Sequence, residues 1–165
     1  MSAFPVLDGV SLLGDPLRLP RDLPADRTLV LLAFRQRQQA QVDRWIDRAV
    51  AELGVAPTPR GLAAGAATAV LEVPCLGRRW RPARRLIDGG MASSIGDPDV
   101  LARTVTVYGD VGAVLRGIGA NGPDAVQARV VQRDGSILAA AAGEPDGAGW
   151  EAIAAALRAR PAPPR

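Results

Sequence analysis

Arginine is the residue type here best equipped for chemistry. All 20 basic side chains are arginine, with no lysine and no histidine. Two clusters stand out. Arg35-Gln36-Arg37-Gln38-Gln39 follows an apolar run and opens a helical pattern. Ligands of open α/β sheets collect at the carboxyl ends of strands. A helix start adds free N–H groups and the positive end of a dipole. Arg35, Gln36, Arg37 and Gln39 therefore suit a carboxylate, a phosphate or a peptide backbone. The competing reading is a solvated helix start. Propensity does not account for two arginines there, because cations favour the other end of a helix. The second cluster is Arg78, Arg79, Arg81, Arg84 and Arg85, with Trp80 among them. Guanidinium groups pair with carboxylate or phosphate planes and stack on indole. The cluster suits an acidic partner or nucleic acid; the competing reading is a solvated face. Between these sets, Asp88-Gly89-Gly90-Met91 offers a carboxylate beside paired glycines that permit positive φ or close backbone approach. If this loop faces the first helix, Asp88 and Arg35 form a paired site; otherwise the glycines are a helix stop.

Other chemistry is excluded by residue type. Without histidine there is no Ser-His-Asp or Cys-His machinery. One cysteine, Cys75, supplies neither a zinc site nor an internal disulfide. As a lone cysteine at a strand end it reads as buried and inert, although Arg78 and Arg79 nearby favour a thiolate. No metal and no cofactor is expected. Gly117-Ile-Gly119-Ala-Asn-Gly122 spells G-x-G-x-x-G, but a helical pattern precedes it and a strand pattern follows, the reverse of the dinucleotide-binding order. The net charge of +3 and an aromatic content of 4% argue against nucleic acid, whose binders show clustered charge with stacking aromatics.

The positioning elements follow from apolar periodicity. Thr28 to Phe34 is a continuous apolar run with the length of a strand buried on both faces. Gln36 to Leu53 carries Val42, Trp45, Ile46, Ala49, Val50 and Leu53 on one helical stripe, and Gly54 stops it. Ala67 to Val73 reads as a second strand ended by Pro74. Pro82 opens a helix to about Asp88, stopped by Gly89-Gly90. Arg103 to Tyr108 is a third strand, and Asp110 caps a short helix to Ile118. Val126 to Gln132 and Ser136 to Ala142 form a hairpin around Arg133-Asp134-Gly135. A last helix carries Trp150, Ile153 and Leu157. Residues 1–27 read as an irregular entry with short extended pieces, and 161–165 as a disordered tail. The order β-α-β-α-β-α-β-β-α predicts an α/β fold with parallel core strands, helices on both faces and an antiparallel terminal hairpin. A length of 165 residues suits one domain, over 1–160. No apolar run is long enough to span a bilayer, and Met1 to Val10 does not read as a signal peptide, so the expected location is the cytoplasm.

Four pieces of this pattern resemble the thioredoxin-like superfamily, in its peroxiredoxin-like and cytochrome-maturation-like branch. They are Phe4-Pro5-x-Leu7-Asp8-Gly9, Leu29 to Phe34, Val105 to Ile118, and Val130-Val-Gln-Arg-Asp-Gly135 with Gly143. The resemblance implies a three-layer α/β/α sandwich around a mixed sheet. It also implies where redox members carry Cys-x-x-Cys: alignment on Phe34 puts Gln39 and Val42 at those positions. Neither forms a thiolate, so the chain is expected to be redox-inactive. The proline that precedes the hairpin in such proteins falls on Val126, three residues after Pro123. Phe34-Arg-Gln-Arg-Gln-Gln39, Pro82 with Ile87-Asp-Gly-Gly-Met91, and Thr104-x-x-x-Tyr108 with Asp110 further resemble redox-inactive bacterial proteins similar to a mitochondrial ATP synthase assembly factor. That likeness implies a chaperone or assembly role.

Two functions follow as expectations. The first is a non-catalytic binding or chaperone-like domain whose surface is Arg35, Gln36, Gln39, Asp88 and Tyr108, with a protein partner. The second is an enzyme or binding protein that holds an anionic small molecule with Arg35 and Asp88, which predicts a deep pocket and a carboxylate of raised pKa. A homodimer through the hairpin edge or the Trp150 helix stays open.

Overall fold

Seven strands line up in the order β2-β1-β5-β4-β3-β6-β7 in the computed structural model, which describes residues 3–63 and 65–159. The expected tail at 161–165 lies outside the described residues. β3 (Arg27–Ala33) is the apolar run, with every residue buried except the last. It pairs parallel with β4 (Thr68–Gly77) and antiparallel with β6 (Gln127–Gln132). β5 (Val105–Gly109) continues the parallel set beside β4, and β7 (Ile137–Ala142) closes the hairpin with β6. A strand flanked by neighbours on both edges and buried on both faces has no polar side to alternate with, hence the unbroken apolar reading.

The helices cover two faces. α1 (Gln39–Leu53) and α5 (Gly147–Arg158) pack on one side, where Trp45, Ile46, Val130, Trp150 and Ile153 share a core. The other side buries Phe4, Leu19, Leu71, Val105 and Ile118, the last capping α4 (Val111–Gly117). Asp110 accepts from the Ala113 N–H at the start of α4, as its position before that helix predicts. Among the described residues no helix is long and apolar enough to cross a membrane.

Three local expectations need correction. The entry segment is ordered: β1 (Leu7–Ser11) and β2 (Pro16–Leu19) form an antiparallel pair that joins the sheet through β5. Gly9 has a packing reason, because a Cβ there would stand 2.6 Å from Val105 Cγ1 and 2.9 Å from the Thr106 carbonyl. β4 does not stop at Pro74; it runs on to Gly77, with Cys75 to Gly77 pairing with Val107 to Gly109. Gly89-Gly90 does not stop a helix either. A 3-10 turn over Arg78–Ala83 leads into α2 (Arg84–Ile95), which passes through both glycines and ends at Gly96 with φ 70°. Neither Gly89 nor Gly90 has a positive φ, and no atom within 4 Å demands their small size. A further helix, α3 (Pro98–Arg103), capped by Asp97, precedes β5.

Polar anchors tie the layers. Glu144, after β7, takes a two-point bond from Arg44 of α1, at 2.7 Å from Nε and 2.6 Å from Nη2, and a third from Gln41. Arg44 first, then Gln41, hold the Glu144 carboxyl down to about 2. A depressed carboxyl contributes stability that is complete above its unfolded value and lost as pH falls through its folded one. An NMR titration should therefore find Glu144 midway near pH 2, and Arg44→Ala should return it to the usual carboxylate range.

Arg129 of β6 is 3% exposed and takes part in no ion pair among the described residues. It donates to the Ile118 carbonyl at the end of α4 from both Nε and Nη2, and to the Ala141 carbonyl of β7 at 3.1 Å. Burial pulls its pKa down. Its charge is met by carbonyl dipoles, including the negative end of α4.

Candidate functional site

The carboxyl end of β3 is closed by the chain's own side chains. Gln38 is buried within a 3-10 turn over Gln36–Gln38. Its Oε1 accepts from the Phe34 and Arg35 N–H groups at 2.8 and 3.3 Å, and its Nε2 donates to the Pro123 carbonyl at 2.7 Å. Gln41 Oε1 accepts from the Val126 N–H at 3.0 Å. The amides of Phe34, Arg35 and Val126 around this strand end are thus satisfied by glutamine side chains. Arg35 and Arg37 both reach Asp124, at 3.3 and 3.7 Å. These groups are largely exposed, and such pairs add little stability.

The two positions that the resemblance aligned with redox cysteines have structural duties. Gln39 opens α1 and donates to Asp43 and to Glu72 of β4, both at 3.0 Å. Val42 is buried in the core under α1. Cys75 is elsewhere, on β4. Its thiol is buried, lies 3.5 Å from the Val73 carbonyl, and is pushed up to about 12 by burial.

Asp88 does not pair with Arg35. From α2 it accepts from the Tyr108 hydroxyl at 2.6 Å and lies 3.1 Å from Thr106 Oγ1, both on β5. Burial first, then the hydrogen bond that its hydroxyl donates to the Asp88 carboxylate, raises the Tyr108 phenol. The expected site therefore divides: Arg35, Arg37 and Gln39 stay at the end of β3, while Asp88 and Tyr108 join the arginine cluster. Gln36 is exposed beside the former and Gly89 on α2 beside the latter.

That second grouping is an open cleft of about 970 Å³ between the β1–β2 hairpin and α2. Arg81, Arg84 and Arg85 line one wall, and Asp88, Thr106 and Tyr108 the floor. Arg81 Nη2 donates to the Tyr108 carbonyl at 2.8 Å. Arg78 and Arg79 lie outside the lining, and Arg79 stacks on Trp80 with its Cζ 5.0 Å from the ring centre. The facing wall includes Arg18, Arg21 and Asp22, which the sequence reading passed over. Their only signal was the charge run Arg18-x-x-Arg21-Asp22 inside a segment read as irregular.

Neither a family model nor a curated protein matches the sequence. Solved structures do match in shape. A copper-bound Sco protein of Arabidopsis thaliana aligns with TM-score 0.58 at 9% identity, over 95% of this chain and 99% of its own. The exposed lipoprotein thioredoxin of Streptococcus pneumoniae aligns at 0.55 and 14%, over 93% and 98%. A putative thiol:disulfide interchange protein of Chlorobium tepidum aligns at 0.53 and 17%, over 94% and 96%.

The fold is thioredoxin-like. At these identities the likeness is one of fold, and one fold hosts many functions. The function of this thioredoxin-like chain therefore rests on its own residues.

Proposed function

We propose that this chain is a non-catalytic binding domain, acting in a chaperone or assembly role and not as a thiol–disulfide enzyme. The observation that carries the reading is the state of its one thiol. Thiol exchange needs an accessible thiolate. Cys75 is buried with its pKa pushed up to about 12, and the two aligned positions hold Gln39, which donates to Asp43 and Glu72, and Val42, which is buried in the core. The copper of the Arabidopsis neighbour also lacks a donor set here, since copper favours imidazole and thiolate and the chain has no histidine. The resemblance of its short motifs to redox-inactive relatives of an assembly factor points the same way.

The rival reading, an anionic small molecule held at the start of the first helix, is less well supported. The guanidinium groups of Arg35 and Arg37 that it would use already meet Asp124.

Reaction with a chromogenic aromatic disulfide tests the reading. The folded protein should release chromophore at least about a hundredfold more slowly than the same protein in denaturant, because exchange runs through the thiolate and requires access. Rapid release from the folded state, abolished in Cys75→Ala, would restore thiol chemistry and overturn the proposal.

A further inference from the structure

The cleft beside α2 differs from the end of β3 in one respect: its positive charge is unspent. Five arginines and three aspartates line it. Each aspartate is already engaged. Asp8 meets Arg18 at 3.2 Å, Asp22 meets Arg21 at 3.1 Å, and Asp88 is held by Tyr108 and Thr106. Arg84 and Arg85 are exposed and take part in no ion pair among the described residues, and the same holds for Arg78, Arg79 and Arg81. Every exposed charge on the turn and the first residues of α2 is thus a guanidinium without a carboxylate.

Apolar surface adjoins this charge. Leu86 is 81% exposed and Trp80 43% exposed. No side chain of the 3-10 turn or of α2 is fully buried. Leu86 and Trp80 lie on the same turn and helix as the arginines, outside the lining of the cleft.

The shape selects the occupant. Small-molecule sites enclose most of their ligand, whereas this cleft is open along its length and far larger than one phosphate. Single-stranded nucleic acid needs a row of aromatic platforms. Trp80 is a single exposed aromatic here, and Arg79 already covers one of its faces. Strand addition to the free edge of β2 is blocked at Arg18, whose N–H donates to the Asp22 carboxylate and whose carbonyl accepts from the Asp22 N–H. Recognition must then run through side chains.

We propose that this cleft takes an acidic segment of a partner protein, whose carboxylates meet Arg84 and Arg85 on the cleft wall. The inference rests on the binding-domain reading above and supplies its partner class.

Fluorescence anisotropy with a labelled peptide of alternating glutamate and leucine tests it. Binding should weaken about tenfold in Arg84→Ala/Arg85→Ala, since each exposed guanidinium–carboxylate contact is modest. It should also weaken as salt is raised. Arg158→Ala, which removes one guanidinium on α5 outside the cleft, should bind like wild type. The double variant should keep the wild-type melting temperature; if it does not, Arg84→Gln/Arg85→Gln is the second variant. Several results would overturn the proposal: no binding by the wild type, equal binding of a glutamine-for-glutamate peptide, equal loss in Arg158→Ala, or tighter binding of a single-stranded DNA oligonucleotide, which would make the surface one for nucleic acid. The disulfide assay does not involve these arginines. A failed peptide with an inert Cys75 would remove the acidic partner and leave the binding-domain reading intact.

Discussion

Arg103→Ala is expected to cost about 3–5 kcal/mol, the penalty for leaving one member of a buried ion pair without its partner. Glu72, on β4, is 4% exposed, and Arg103 Nε lies 2.7 Å from its Oε2. Gln39 supplies the other oxygen with one neutral donor at 3.0 Å. Removing the guanidinium strands a carboxylate between α1 and the sheet, with Gln39 as its remaining side-chain donor. Urea unfolding measures the loss, and in a domain of this length it corresponds to a fall in melting temperature of about 10 °C or more. Glu72→Leu combined with Arg103→Met should recover most of that loss, because a buried pair replaced by apolar groups is often close to neutral. Equal stability of Arg103→Ala and wild type would show that the pair is solvated.

Trp45→Ala is expected to cost about 3–5 kcal/mol, the range for deleting a large buried ring. The ring is fully buried in the core under α1, and its centre lies 6.0 Å from that of Trp150, tilted by 45°. Its Nε1 donates to the Gly143 carbonyl at 2.8 Å, just past β7. Trp45→Phe should recover part of the loss and still fall short by about 1–3 kcal/mol, because the Gly143 carbonyl then loses its donor. Denaturant unfolding of both variants separates the packing share from the hydrogen-bond share. A full recovery with phenylalanine would mean that the indole N–H adds nothing.

The core was legible because apolar periodicity reports burial directly. The stripe Val42, Trp45, Ile46 and Ala49 is buried as its spacing requires, and the run at β3 is shielded on both faces. Asp110 and Gly54 marked their helix ends correctly, since each satisfies or terminates a backbone locally. Failures arose where tertiary context overrode a local signal. Pro74 lies inside β4 because the strand continues past the end of its pairing with β3 into pairing with β5. Gly89-Gly90 reads as a stop by propensity, yet the helix runs through it while Asp88 is tied to Tyr108 and Thr106.

The site was half legible. Charge density found the arginines of the second cluster, and residue type identified Asp88 and Tyr108 as polar candidates. Only the fold could show that Asp88 belongs with Arg84 and Arg85 and not with Arg35. The opposite wall, with Arg18 and Arg21, was hidden because a four-residue edge strand such as β2 leaves almost no periodic signal.

The thin anchoring of α2 has an energetic consequence. The helix carries two glycines in its interior, each costing about 1 kcal/mol relative to alanine. Among the described residues it buries no side chain fully, and its side-chain hydrogen bonds to β5 come from Asp88. Segments with exposed backbone hydrogen bonds and few buried apolar contacts open as separate cooperative units, well below the free energy of global unfolding. α2 has these features and is expected to open on its own. Its amides should exchange with solvent deuterium long before those of β3, and a ligand that closes on its arginines would show itself first as slowed exchange in this one helix.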